Sequence, residues 1–235
     1  VINQELKMIT ALYEYAEKHH IPIMTHCTRG GSQYIGAAIE GLIPPLPDFL
    51  MPNVLNTIAI AAKNSIIKRI NDYYLNGWIK NSKLGNNDLA CDLFGHPENY
   101  IPVLESFPNL KICLAHLGGS DELKEKPENS ELCKIRKIDS IRWFDRICSM
   151  MSQYQNLYTD ISYTLSDLDQ DDILNEVVDK LLAKNDISPR VLFGTDFFMV
   201  EQEKHEAALY DLTKEKLNPY FPNLTQNNPQ SYLMI

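Results

Sequence analysis

Three observations predict an α/β fold built on a parallel sheet. Four short aliphatic runs do not alternate between apolar and polar residues, helical patterns fill the intervals between them, and the elements follow the order α-β-α-α-β-α-β-α-β-α. The runs are Ile21–Cys27 (IPIMTHC), Leu110–Leu117 (LKICLAHL), Leu157–Ser162 (LYTDIS) and Arg190–Phe197 (RVLFGTDF). Near-continuous apolar runs bounded by turn residues suit strands covered on both faces. Alternation of strands and helices calls for right-handed crossovers between parallel neighbours. A chain of 235 residues is long enough for one large domain, and a single domain over residues 1–235 is expected.

Each helix has its own signature. Leu6, Ile9, Tyr13 and Ala16 recur at helical spacing before the first strand. Asn53 to about Ile79 reads as a long helical stretch with Val54, Ile58, Ala62, Ile66 and Ile70 on one face. Asn99 is a candidate cap that puts Pro102 at the third helical position, where a missing N–H costs nothing. Ile138, Ile141, Phe144, Cys148 and Met151 form another stripe. Ile173, Val177 and Leu181 form a further one behind Asp169, Asp171 and Asp172, acidic residues suited to a helix N-terminus. A last helix is expected over Glu201–Leu217. Ile43–Pro47 (IPPLP) and the Lys/Glu-rich stretch Ser120–Asn129 read as loops.

Composition narrows the function classes. The chain has 31 acidic against 22 basic residues, a net charge of −9, which disfavours nucleic acid as a partner. No apolar run approaches the roughly 20 residues needed to span a bilayer. Val1-Ile2-Asn3-Gln4 has neither a basic nor an apolar leader region, so no signal peptide is expected; without a Met, Val1 is not read as the natural start. Cys27, Cys91, Cys113, Cys133 and Cys148 are odd in number, widely spaced and without a C-x-x-C pair. Reduced thiols in a cytoplasmic protein is the plain reading.

Reactive groups in parallel α/β proteins gather at the carboxyl ends of the strands. The first run here ends in Thr25-His26-Cys27, the second in His116-Leu117-Gly118-Gly119, and the fourth in Gly194-Thr195-Asp196; the third carries Asp160 and Ser162. Two imidazoles and a carboxylate converging on one end are the donor types of a catalytic divalent metal, zinc above all. Taken singly, each has a bland reading: a hydrogen-bonded core histidine, or an aspartate capping the next helix. Taken together, they would have to reach equivalent topological positions by accident. His19, His20 and His205 read as surface residues. His96 suits either role, the structural one favoured. Cys27 reads as a buried small hydrophobe. Arg29 either anchors a substrate carboxylate or is a solvated loop residue.

The string FPNLKICLAHLGG (Phe107–Gly119) resembles the sixth-strand signature of the amidohydrolase-related family of metal-dependent hydrolases. IPIMTHC resembles that family's fifth strand. RVLFGTDFF resembles its eighth, with Gly-Thr-Asp where Gly-Ser-Asp is usual, and Gln226-Asn227-Asn228-Pro229 resembles its closing helix region. The family includes aminocarboxymuconate-semialdehyde decarboxylase, resorcylate-type decarboxylases and assorted hydrolases. The resemblance implies a (β/α)8 TIM barrel of the metal-dependent hydrolase type, with His26 a metal ligand and Asp196 a metal ligand that also handles the proton of a bound water. It implies that His116 is an acid/base residue or, in two-metal relatives, a ligand.

The family's first strand carries an H-x-H, and this sequence has none. With only four strands countable, the chain is expected to cover the last four βα units, a half-barrel that alone is neither a tight metal binder nor an active enzyme. The expected function is a metal-dependent hydrolase or non-oxidative decarboxylase of a small, carboxylate-bearing molecule, with a divalent metal, zinc foremost, as cofactor; a homo-oligomer stays open. The alternative is a non-catalytic half-barrel that pairs with a partner chain or is a degenerate fragment.

Overall fold

The computed structural model describes residues 2–28, 95–124, 141–164, 168–196 and 205–234. Helix α1 (Ile2–Lys18) leads into β1 (Ile23–Thr28). A 3₁₀ turn (Pro97–Tyr100) and α2 (Ile101–Ser106) precede β2 (Ile112–Gly118) and the short α3 (Asp121–Lys124). Helix α4 (Trp143–Gln153) precedes β3 (Leu157–Asp160), and α5 (Asp171–Val177), continued as a π turn over Val178–Leu182, precedes β4 (Val191–Leu192). Helices α6 (Glu206–Lys216) and α7 (Asn228–Leu233) follow.

The four strands form one sheet in the order β1-β2-β3-β4, every pair parallel, as the alternation of strands and helices predicts. One face packs against the helices: Ile112, Leu114, Leu157 and Val191 join Leu104, Phe144, Ile147 and Met151 in the main core. On the other face Cys113, Tyr158 and Leu192 make a small cluster covered by Tyr232 of α7. Met24 aligns with Cys113, which aligns with Tyr158, yet Met24 stays 56% exposed.

Several local expectations are corrected. His96, not Asn99, starts the turn before α2, because its Nδ1 accepts the Glu98 N–H at 3.3 Å. Pro102 is therefore the second residue of α2. In α1, Thr10, Tyr13 and Ala16 face inward, and Ile9 faces solvent beside Met8, Leu12 and Tyr15. Ile141 precedes α4 and is exposed; Phe144, Ile147 and Met151 carry the buried stripe. Strand β4 is only two residues long, because the Phe193 N–H leaves the sheet to donate to the Leu224 carbonyl at 3.2 Å. The polar stretch after Ser120 opens as the α3 turn. Ile173, Val177 and Leu181 are buried as their spacing predicts. The 43–47 loop, the 53–79 helix, Ile138, Cys91, Cys133 and Arg29 lie outside the described residues.

The amino-terminal end of the sheet is closed by side chains that bond main-chain carbonyls. Buried Asn156 donates to the carbonyls of Leu104, Phe107 and Leu110 at 3.0–3.2 Å. Arg190, 5% exposed, donates to those of Met151, Tyr154, Leu157 and Asp186 at 2.6–3.0 Å. Asn228 ties α7 to the start of β4 through the Ser188 and Val191 carbonyls, both at 2.7 Å. Buried carbonyls without such partners would each be costly.

Candidate active site

At the carboxyl end of the sheet, the β1–β2 ladder slips. His26 aligns with Ala115, but Thr28 aligns with Gly118, so β2 holds one residue more than β1 over this stretch. Regular alternation would put His116 on the face opposite His26, since the neighbouring Ala115 shares a face with His26. The extra residue instead brings the two imidazoles together, edge to face, with ring centroids 5.0 Å apart. The backbone bends to do this: His116, Leu117, Gly118 and Gly119 have φ of 69°, 53°, 89° and 105°. Glycine suits the last two positions. A Cβ on Gly118 would also meet the Trp143 Cβ at 2.8 Å, so the close approach of α4 requires the missing side chain. Tyr163 (φ 62°) and Asp196 (φ 51°), after the ends of β3 and β4, are left-handed too. Such conformations in non-glycine residues gather at functional sites.

His116 is held from β3. Asp160, 2% exposed, accepts the His116 N–H (3.1 Å), the Ser162 N–H (2.9 Å) and the Ser162 hydroxyl, all on Oδ1. The Cys113 thiol approaches its Oδ2 at 3.8 Å. Ser162 Oγ stands 2.9 Å from His116 Nδ1, and the Ser162 carbonyl 3.4 Å from the same nitrogen. In the sequence Asp160 and Ser162 are two polar residues at the third strand end to which no role is assigned. Their D-x-S spacing after an apolar run is the signal that was there to use.

His26 Nε2 lies 3.3 Å from Thr28 Oγ1. Desolvation, and then the neighbouring His116, push its imidazole below the ordinary histidine range, against the opposing pull of Asp196 and Asp160. A neutral imidazole is the form that ligates a metal. Imidazole and carboxylate are the donor types a divalent cation takes, so the chemistry of these residues fits one. Among the described residues, no three His, Cys, Asp or Glu side chains stand close enough to hold one ion together.

The remaining candidates separate cleanly. His96 is buried, caps its turn and packs edge-on against Trp143, a structural role. His205 is not inside a helix but caps α6, its Nδ1 accepting the Ala207 N–H. His19 and His20 are exposed before β1. Cys27 is fully buried, its Sγ 3.4 Å from the Gly95 carbonyl, and burial pushes its thiol far above the range of a nucleophile. Among the described residues no helix is long and apolar enough to cross a membrane.

No curated protein and no solved structure matches the chain at a significant level. A family profile described as Amidohydrolase matches residues 3–228, nearly the whole sequence. The strand-end histidines and aspartates sit in a chain that belongs to the amidohydrolase family, within the superfamily of metal-dependent hydrolases and decarboxylases.

Proposed function

We propose that the protein is a metal-dependent hydrolase or non-oxidative decarboxylase of a small, carboxylate-bearing molecule, and that its four strands are the last four of a (β/α)8 barrel in one amidohydrolase-related domain. The observation that carries this reading is the meeting of His26 and His116 at adjacent strand ends, with Asp196 and Asp160 near enough to act on His26 electrostatically. In this reading His26 and Asp196 hold a divalent metal, zinc foremost. Such an ion supplies a bound water acidified toward neutrality. The Asp196 carboxylate, the other proposed ligand, would be the group to take up a proton there. His116 exchanges a proton with the reacting group, the general acid–base role an imidazole most often takes. Arg29, following β1, pairs with the substrate carboxylate through its guanidinium fork.

Metal analysis of the chain and its variants, each paired with the barrel half that carries the first-strand H-x-H, tests the assignment. His26→Ala and Asp196→Ala each lower metal content, because each removes a ligand. Full occupancy in both variants would overturn it. Loss of metal in His116→Asn would make His116 a ligand of a two-metal site. A chain that takes up no divalent metal even when paired with the barrel half carrying the first-strand H-x-H would favour the non-catalytic half-barrel.

A further inference from the structure

The hydrogen bonds around Ser162 determine which nitrogen of His116 carries the proton. Asp160 Oδ1 already accepts two backbone N–H groups, which can only donate. Its close contact with Ser162 Oγ therefore takes its hydrogen from the serine. A serine has one hydroxyl hydrogen, so with that hydrogen committed to Asp160, Oγ meets His116 Nδ1 with a lone pair. The Ser162 carbonyl, 3.4 Å from the same nitrogen, can also only accept. Both neighbours of Nδ1 are acceptors, so Nδ1 must be the donor. In the neutral ring this leaves Nε2 bare, and among the described residues Nε2 makes no hydrogen bond.

We propose that Ser162, oriented by buried Asp160, is a positioning residue that fixes His116 as the Nδ1–H tautomer and leaves its Nε2 lone pair without a hydrogen bond among the described residues, in a ring packed edge to face with that of His26. Gly194 belongs to the same device, since a Cβ there would come within 3.1 Å of the Ser162 Cβ. The arrangement has the logic of a triad: a buried carboxylate orients an intermediate group, which sets the tautomer of the imidazole that reacts. Its link to catalysis rests on reading His116 as the proton-exchanging group; the tautomer itself does not.

The test is nitrogen-15 NMR of the histidine rings in chelator-treated, substrate-free protein, with the His116 signals identified by their loss in His116→Gln. Wild-type His116 is expected as the Nδ1–H tautomer, and a proton found on Nε2 instead would overturn the proposal. Ser162→Ala removes the shorter acceptor and keeps the more distant carbonyl, so part of the ring population is expected to move to the Nε2–H form, and Ser162→Thr, which restores a hydroxyl, to return it. An unchanged tautomer in a folded Ser162→Ala protein would overturn the role of the serine. With activity as the second readout, Ser162→Ala should lower kcat about 10–100-fold with KM unchanged, and Ser162→Thr should recover most of it. Because the ring measurement needs neither metal nor substrate, the tautomer can prove right while the metal-dependent reading fails, and the reverse.

Discussion

The two ends of the sheet are built on opposite principles. At the amino-terminal end, Asn156, Arg190 and Asn228 spend their donors on main-chain carbonyls, nine bonds that lock helices to strand starts. At the carboxyl end the backbone is left-handed at His116, Tyr163 and Asp196, and titratable rings face one another. One end spends its polar groups on main-chain carbonyls; the other holds titratable groups against one another on a left-handed backbone. The difference teaches where to look for chemistry: a polar residue whose partners are all carbonyls is a fastener, whereas His26 and His116 are turned toward each other in a strained frame.

That contrast breaks most visibly if substitutions at the two ends fail to separate activity from stability. His116→Asn should lower turnover about 10²–10⁴-fold, the usual contribution of a general acid or base, while the melting temperature barely moves. Steady-state kinetics and thermal unfolding decide it; near wild-type turnover would remove His116 from the chemistry. Arg190→Ala should do the opposite. Its four carbonyl partners would be stranded in the interior, costing about 3 kcal/mol or more in denaturant unfolding, with kcat per folded molecule unchanged.

Gly118→Ala tests whether the turn at the carboxyl end of β2 and the His116 ring act as one unit. It adds a Cβ against Trp143 at a φ of 89°, and should cost about 1–3 kcal/mol and reduce activity together, because the same turn carries His116. A stability loss without any kinetic change would show that the turn and the ring are independent.

The smallest expected effect lies away from both ends. Arg142 and Lys180 pair with Asp145 and Glu176 on the helix side of the sheet. Burial pushes the two carboxyls up, but the hydrogen bonds from Arg142 and Lys180 outweigh it and hold both below the usual carboxylate range. Carboxyls lowered in the folded state stabilise fully above their unfolded pKa. That contribution drains away as the pH falls through their lowered folded values, beneath the usual carboxylate range. Glu176→Gln should flatten the acid limb of the melting-temperature profile; an acid limb identical to wild type would show that the network is without consequence.

Much of the fold and part of the site are legible in the sequence, because both rest on local patterns. Non-alternating apolar runs and intervening helical stripes determine a parallel α/β sheet, and the chain order places His26, His116 and Asp196 at or beyond strand ends. Helix starts are less legible, since a histidine can cap as His96 and His205 do, a choice that composition does not announce.

What only the tertiary structure decided is the orientation of the site. The period of a strand assigns His116 to the face away from His26, and the slip against β1 reverses that. Asp160 and Ser162 become meaningful only when β3 lies beside β2, bringing a carboxylate to a backbone N–H 44 residues away in the chain. Asn228, read as part of a closing motif, proves to be a fastener for the same reason. Periodicity is written in neighbours along the chain, but register, tautomer and hydrogen-bond partners depend on groups that meet only when distant segments pack.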